Sequence, residues 1–231
     1  MLEFSPEQIL FEDNHLIVIN KLPSQLVQGD KTGDPSLKDY ASKYLKTIHN
    51  KPGDAFVGVI HRLDRPVSGI VVFAKTSKAL SRMNELFRRK EIKKTYWAIV
   101  KNKPEKVEGK LIHYLIKDEK NNKSKAFNEE KKNSLRAELD YRLLTSTQTY
   151  HLLEIQLHTG RHHQIRVQLS QINCPIKGDL KYGFDRTNKD ASIHLHSQKI
   201  EFIHPVKNTL VSILADPPND PVWNACVLNL K

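Results

Sequence analysis

Residues 61–69 read His-Arg-Leu-Asp-Arg-Pro-Val-Ser-Gly and are followed at once by the apolar run Ile70–Ala74. The single carboxylate, Asp64, stands between two arginines, and nearby guanidinium groups favour the ionised form of a carboxyl and depress its pKa. The proline and glycine that follow indicate an irregular, fixed backbone before a buried strand begins. This stretch therefore predicts a charged nucleophile or base in a loop at the edge of a sheet; the alternative is a structural ion pair.

The composition is that of a basic chain with few cysteines. Lysine and arginine outnumber aspartate and glutamate by 37 to 26 in 231 residues, a net charge of +11 that favours a polyanionic partner such as nucleic acid. No apolar run is long enough to cross a bilayer, and the first residues lack the pattern of a signal peptide. The two cysteines, Cys174 and Cys226, fit a reducing compartment. We therefore expect a cytoplasmic protein with no membrane partner.

Apolar spacing along the chain predicts strands with interspersed helices. Helices are expected after the capping residues Ser36 and Ser77, within residues 160–172 and over residues 223–230. Strands are expected within residues 9–21, 56–60, 69–75, 95–100, 135–143, 150–157, 192–203 and 210–214. Residues 117–133, rich in Lys, Asn and Glu, predict a mobile loop or hairpin tip. Because strands and helices do not alternate regularly, we expect an α+β fold with a mixed, mainly antiparallel central sheet flanked by helices.

A second polar stretch, residues 159–166, reads Thr-Gly-Arg-His-His-Gln-Ile-Arg. Its glycine precedes the expected start of a helix, where free backbone N–H groups and Arg161 are suited to a phosphate or carboxylate. Arg166 lies on the same helix face as the two histidines. A surface helix with solvated arginines is the alternative for this pattern.

A third stretch, residues 93–97, places the basic pair Lys93 and Lys94 before the aromatic residues Tyr96 and Trp97. Bases of RNA stack on aromatic rings, so the pattern suits RNA binding; core packing is the alternative. The 11 histidines include close pairs, but no cysteine pair or His-Glu-x-x-His pattern accompanies them. We expect no metal and no cofactor.

Together these stretches resemble the motifs of the RluA-type pseudouridine synthases. The family signatures His-Arg-Leu-Asp…Ser-Gly, Lys-x-Tyr, Thr-Gly-Arg-x-His-Gln-Ile-Arg and Pro-Ile-x-Gly-Asp-x-x-Tyr-Gly occur here in order, and the resemblance runs from about residue 9 to residue 218. Pro66 and Val67 depart from it, since the family usually has an acidic residue and a threonine there. The resemblance implies one catalytic domain over residues 1–231, without the small S4 RNA-binding domain that several relatives carry in front.

The resemblance also implies an activity, the isomerisation of specific uridines in structured rRNA or tRNA to pseudouridine, with no cofactor. Asp64 would be the catalytic carboxylate, as nucleophile at C1′, as base at C2′ or by attack at C6 of uracil. Tyr96 would stack on the flipped uracil, and Arg166 would pair with Asp64. The expected phosphate or active-site polar contacts are Arg62, Arg65, Arg161, Lys21 and Lys75. We expect a monomer with no obligate protein partner.

Two other functions fit parts of the sequence. A non-catalytic RNA-binding or chaperone protein on the same fold would share the basic surplus and the aromatic strand. It would have no need of a carboxylate where phosphates approach. A metal-dependent nuclease would need clustered carboxylates to hold Mg²⁺, and the sequence shows none.

Overall fold

The structure, a computed structural model, describes residues 4–50 and 52–230. Contacts between residues divide the chain into two units. The first unit extends to Ile92 and includes Ser197–Asp216; the second comprises Lys93–His196 and the stretch from Pro217 onward.

The strands of the first unit pair mainly in antiparallel fashion. Within the described residues they are β1 (Ile9–Glu12), β2 (Leu16–Lys21), β3 (Gly58–Val59), β4 (Ser68–Ala74), most of β10 (Leu195–Ile203) and β11 (Leu210–Leu214). The order is β1-β2-β4-β10, with β3 paired to β4 and β11 paired to β10. The pairs β1–β2, β2–β4, β3–β4 and β10–β11 are antiparallel.

Every residue of β4 is buried because a helix covers each face of this sheet. On one face Ile70 and Val72 pack with Met83 of helix α2 (Ser77–Arg88). On the other face Val71 and Phe73 pack with the apolar side of helix α1 (Leu37–Ile48). A continuous apolar run, in place of strict alternation, is the expected signature of a strand buried on both sides.

The helix starts follow local capping chemistry. Ser36 caps α1 as predicted, because its hydroxyl accepts the Asp39 N–H while the Asp39 carboxylate accepts the Ser36 N–H. The predicted cap of α2 was wrong by one residue. Thr76 is the N-cap and accepts the Ala79 N–H, and Ser77 is the first helical residue. Both residues carry the hydroxyl that a cap needs, so residue type alone favoured neither.

The second unit is an antiparallel sheet in the order β5-β9-β8-β6-β7. Its described strands are β5 (Lys93–Val100), β6 (Glu108–Asp118), β7 (Lys123–Phe127), β8 (Leu135–Ser146) and β9 (His151–Leu157). Helix α3 (Gln164–Gln171) packs on one face through Val167, against Leu115 and Ala137. Helix α4 (Pro221–Leu228) packs on the opposite face through Trp223. A 3₁₀ turn, Leu180–Tyr182, follows α3.

Residues 117–133 contain the hairpin tip that was one of the two alternatives predicted for them, together with a strand that was not predicted. The segment contains the end of β6 and the whole of β7, which pair in register from Asp118 opposite Lys123 to Tyr114 opposite Phe127. On the side of β7 that faces α3, Ser124 is buried, whereas Lys123 and Lys125 are exposed. With so little apolar surface to bury, this edge strand has no recognisable hydrophobic period.

The predicted fold class, α+β with a mixed, mainly antiparallel sheet flanked by helices, is confirmed. Cys174 and Cys226 are both buried and carry no disulfide. Across residues 4–50 and 52–230 no helix has the length and apolarity to span a membrane.

Candidate active site

The backbone of the loop around Asp64 is fixed by hydrogen bonds. The Val67 N–H donates to the Asp64 carbonyl at 3.0 Å and closes a turn, and the Ser24 N–H donates to the Arg65 carbonyl at 2.9 Å. Lys21 Nζ donates to the carbonyl oxygens of Arg65, at 3.0 Å, and Val67, at 2.6 Å. An irregular loop leaves carbonyl groups that need donors, and these contacts supply them.

Lys21 lies at the end of β2 and is 0% exposed. Its third contact is the Leu22 carbonyl at 3.0 Å, so its three backbone contacts match the donor capacity of an ammonium group. Burial lowers the pKa of Lys21 to about 7, while the nearby Asp64 carboxylate opposes that shift. The structure therefore places Lys21 among the backbone carbonyls of the Asp64 loop, where its polar contacts are with the loop itself.

His61 holds the start of the same loop. Its Nε2 accepts the N–H of Val72 in β4 at 3.1 Å, so the side chain replaces the carbonyl that β3 would offer if it continued past Val59. An acceptor Nε2 in a neutral imidazole requires the proton to be on Nδ1. The ring also lies 5.2 Å from that of Phe87 on α2. His61 therefore links the loop to the first unit's sheet and to a helix.

Gly69 fixes where the loop joins β4. Its φ is +110°, and a Cβ at this position would come within 2.3 Å of the Ser197 carbonyl oxygen and 2.5 Å of the Ser197 nitrogen. These are backbone atoms of β10, which cannot rotate away. Only glycine fits such an approach at positive φ.

The arginines beside Asp64 have different surroundings. Arg62 and Arg65 are exposed, and Arg65 Nη2 pairs with Asp34 Oδ2 at 2.9 Å. Asp64 itself is partly exposed. Both arginines therefore remain suited to contacts with RNA.

Lys75, another expected contact, lies at the far end of β4 from this loop. Seven residues of extended strand separate the two, roughly 20 Å at 3.3 Å per residue. The Lys75 ammonium pairs with Glu12 at 2.6 Å, and its side chain is 8% exposed. The structure does not bring Lys75 to Asp64, and the reason is that a residue near in sequence is distant along a straight strand.

The second unit carries Tyr96 and Arg166. Tyr96 is a central residue of β5, 6% exposed, and opposes Ile155 of β9. Arg166 is on α3 and is 5% exposed. Its Nε and Nη2 donate to the two oxygens of Asp179 at 2.7 and 2.9 Å, a bidentate buried pair.

The guanidinium of Arg166 is supported from a second direction by Tyr182, whose ring centroid lies 5.1 Å from Cζ. The Tyr182 hydroxyl in turn accepts the Ser124 N–H at 2.7 Å and lies 2.8 Å from His163 Nδ1. Charge pairing and a cation–π contact together restrict the guanidinium to one orientation. In the sequence, Tyr182 was recognisable only as part of the Gly-Asp-x-x-Tyr-Gly pattern, to which no role was assigned.

The turn that presents Asp179 depends on Gly178. Its φ is +86°, and a Cβ there would meet Asn188 Nδ2 and the Ser192 carbonyl oxygen at 2.7 Å. Asp179 is 1% exposed, so its carboxylate is held in the interior opposite Arg166. A buried carboxylate of this kind is stable only with a charged or hydrogen-bonded partner.

Arg161 is exposed just before α3. Its Nε donates to the Arg136 carbonyl at 3.2 Å, and its backbone N–H donates to Gln164 Oε1 at 3.0 Å. The neighbouring histidines are used structurally: His162 bonds with Ser124 and Asn122, and His163 with Tyr182. In the described part of the chain, no three His, Cys, Asp or Glu side chains come together as metal ligands would.

Comparisons with known proteins agree on one family. The sequence profile described as RNA pseudouridylate synthase matches residues 15–171. Ribosomal large subunit pseudouridine synthase D of Borreliella burgdorferi is 32% identical over 217 residues, covering 92% of this chain and 66% of the relative. tRNA pseudouridine synthase C of Haemophilus influenzae is 31% identical over 227 residues, covering 90% of this chain and 92% of the relative. The chain thus spans about two thirds of the first relative and most of the second.

A solved structure gives the same result. Human RNA pseudouridylate synthase domain containing 4 matches with a TM-score of 0.79 and 25% identity, over 97% of this chain and 93% of that one. Human RNA pseudouridylate synthase domain containing 1 matches with a TM-score of 0.76 and 21% identity, over 98% and 90%. The second likeness is one of fold.

Proposed function

This chain belongs to the RNA pseudouridylate synthase family, as an RluA-type member, and we propose that it isomerises specific uridines of structured rRNA or tRNA to pseudouridine. The observation that carries this proposal is the Asp64 loop, whose backbone is held from beneath by the buried ammonium of Lys21. A carboxylate that reacts with one carbon or proton of a flipped nucleotide must be carried by a backbone held in one position.

The reaction breaks the N1–C1′ glycosidic bond, turns the uracil and joins C5 to C1′. The proton on C5 is lost and N1 gains one, so the product is an isomer and no electrons are exchanged with a second reactant. Asp64 acts on the sugar or the base in one of three ways: attack at C1′, as a retaining glycosidase carboxylate does, removal of the C2′ proton, or attack at C6.

Arg166 and Tyr96 are proposed to act on the same nucleotide. Asp179 uses the Nε–H and one Nη2–H of Arg166, and a guanidinium has five N–H groups. We propose that Arg166, held by Asp179, pairs with Asp64 and keeps that carboxylate in place. The Tyr96 ring stacks on the flipped uracil and recovers part of the few kcal/mol of stacking that flipping costs.

RNA binding rests on the basic character of the chain and on exposed arginines. The net charge is +11, and Arg62, Arg65 and Arg161 are all exposed. The relatives named above act on ribosomal RNA and on tRNA, and we propose one of these two classes as the substrate. We further propose that residues 1–231 act as one catalytic domain, as a monomer in the cytoplasm.

Purified protein incubated with total RNA from a strain that lacks it tests this proposal. We expect new pseudouridines at one or a few positions, mapped by chemical labelling and reverse transcription, and the same yield in the presence of EDTA. No new pseudouridine with intact RNA binding would favour the non-catalytic RNA-binding protein. RNA cleavage that EDTA stops would favour the nuclease.

A further inference from the structure

A group of lysines on one end of the second unit has no role in the chemistry above. Lys123 and Lys125 are exposed on β7, Lys120 is exposed in the turn before it, and Lys181 is exposed on the 3₁₀ turn. We call these four residues the lysine surface. Lys117 and Lys131, in the same part of the chain, form ion pairs with Glu119 and Glu129. Within the described residues, the lysine surface forms no ion pair.

The lysine surface is held in place by contacts at the turn between β6 and β7. Lys181 Nζ donates to the Asn122 carbonyl at 2.9 Å, and Asn122 Oδ1 lies 3.0 Å from His162 Nε2. Lys123 Nζ lies 5.3 Å from the centroid of the Tyr182 ring. Positive charges on a fixed scaffold lose little freedom when they meet a ligand.

The same contacts join the lysine surface to the start of α3. His162, which bonds with Asn122, directly follows Arg161 and lies four residues before Arg166. Ser124, between Lys123 and Lys125, donates its hydroxyl to the His162 carbonyl at 2.7 Å. A polyanion that reaches Arg166 therefore has a run of cationic side chains beside it.

We propose that the lysine surface binds the phosphate backbone of the substrate RNA outside the reacting nucleotide. The proposal rests on the proposed function for the identity of the polyanion. The chemistry fits because each ammonium that neutralises a phosphate releases a counterion, and such contacts supply affinity without reading sequence.

Protection of a sheet edge is the competing explanation, since β7 ends the strand order of the second unit and exposed lysines discourage edge-to-edge pairing. It accounts for Lys123 and Lys125 but not for Lys181, which belongs to a 3₁₀ turn and not to the edge strand, although its Nζ reaches the Asn122 carbonyl just before β7. The acidic neighbour Asp118 bonds with Asn121, its carboxylate 2.8 Å from that amide nitrogen. This hydrogen bond lowers the pKa of Asp118, and although the charge of Lys125 also helps to lower it, Asp118 and Lys125 form no ion pair. These observations favour the phosphate-binding role.

The test is the triple variant Lys123→Gln, Lys125→Gln and Lys181→Gln, compared with Lys38→Gln, Lys43→Gln and Lys78→Gln, three exposed lysines of the first unit with the same change of charge. Binding of unmodified tRNA and large-subunit rRNA transcripts is measured across a range of KCl concentrations. We expect Kd to rise about tenfold or more in the first variant, with a slope of log K against log salt smaller by roughly two, and within about threefold of wild type in the second. A third variant, with arginine in place of Lys123, Lys125 and Lys181, should bind RNA like wild type.

Pseudouridine formation by the wild-type protein separates this proposal from the proposed function. If wild type modifies RNA but the two glutamine variants bind it equally well, the lysine surface is not a phosphate site. Increased aggregation of the first variant alone would then indicate that the lysine surface protects the edge of the sheet. If wild type modifies neither RNA and only the first glutamine variant loses RNA binding, the result supports phosphate binding by the lysine surface. It contradicts the proposed function.

Discussion

Arg166 and Asp179 form a buried, bidentate ion pair whose two hydrogen bonds are 2.7 and 2.9 Å long. The pair fixes the edge of the guanidinium that faces Asp179 and thereby sets the direction of its other N–H groups. A substitution at Asp179 should therefore act on catalysis through Arg166, without any contact between Asp179 and RNA.

Asp179→Asn should lower kcat about tenfold or more while KM stays within about twofold, because the guanidinium loses its charged partner. Losing one partner of a buried pair also costs roughly 3–5 kcal/mol of unfolding free energy, which urea denaturation will show. In an Arg166→Gln background, Asp179→Asn should cause no further loss of kcat. If the kcat losses of the two single variants multiply in the double variant, Asp179 does not act through Arg166. Asp185→Asn, at an exposed aspartate nearby, is the matched control.

Lys21→Met should lower kcat with little change in KM, since the Val67 carbonyl loses the Lys21 donor, the Arg65 carbonyl keeps only the Ser24 N–H, and the Asp64 loop loosens. Unsatisfied buried carbonyls cost roughly 1–3 kcal/mol each, partly offset because a buried charge is also removed. Steady-state kinetics on the mapped substrate distinguish the two roles considered for Lys21. A higher KM with unchanged kcat would instead mean that it binds a phosphate.

Gly69→Ala should destabilise the first unit by several kcal/mol or prevent folding, because the new Cβ would overlap the Ser197 backbone at positive φ. Gly53→Ala is the control, since nothing lies within 4 Å of a Cβ at that position. Thermal unfolding of the two variants measures the difference. Equal stability would show that β4 and β10 are farther apart at Gly69 than described.

Asp13 gives a prediction about pH. Burial raises the pKa of this carboxyl, but hydrogen bonds from Lys207 and from the backbone of His15 and Leu16 outweigh burial and lower the pKa to about 2. A carboxyl with a depressed pKa in the folded state stabilises the fold above its unfolded pKa near 3.8, and this stability is lost as pH falls toward 2.

Asp13→Asn should therefore cost about 2 kcal/mol of unfolding free energy at pH 7 and progressively less below pH 4. Urea denaturation of both proteins at pH 7, 5 and 3 provides the comparison. A cost that is the same at all three pH values would mean that the carboxylate charge contributes nothing.

Much of the fold was predictable because its signals are local. The run Ile70–Ala74 is buried as expected, Ser36 caps α1, and strands β8 and β9 follow the alternation of their apolar residues. Strand β7 was missed because hydrogen bonding to β6, and not an apolar face, holds it in the sheet. Tertiary pairing of that kind leaves little trace in one sequence.

The candidate site shows the same contrast between local sequence signals and long-range contacts. Asp64, Tyr96 and Arg166 stand in motifs that sequence can recognise, and their roles stay predictions. The surroundings of Lys21, Lys75 and Asp179 depend on strand length and on contacts between distant segments. Lys75 was expected among the phosphate or active-site polar contacts, while extended backbone carries it to the other end of β4 from the Asp64 loop.

The most direct test of the account is Asp64→Asn, assayed for pseudouridine formation on the RNA that the wild-type protein modifies. We predict no detectable product, with RNA binding within about threefold of wild type and a cooperative unfolding transition that is retained, since the partly exposed carboxylate is replaced by an amide of the same shape. Asp54→Asn, at an exposed aspartate of the first unit, should leave product formation unchanged. Near-normal pseudouridine formation by Asp64→Asn would contradict the central claim.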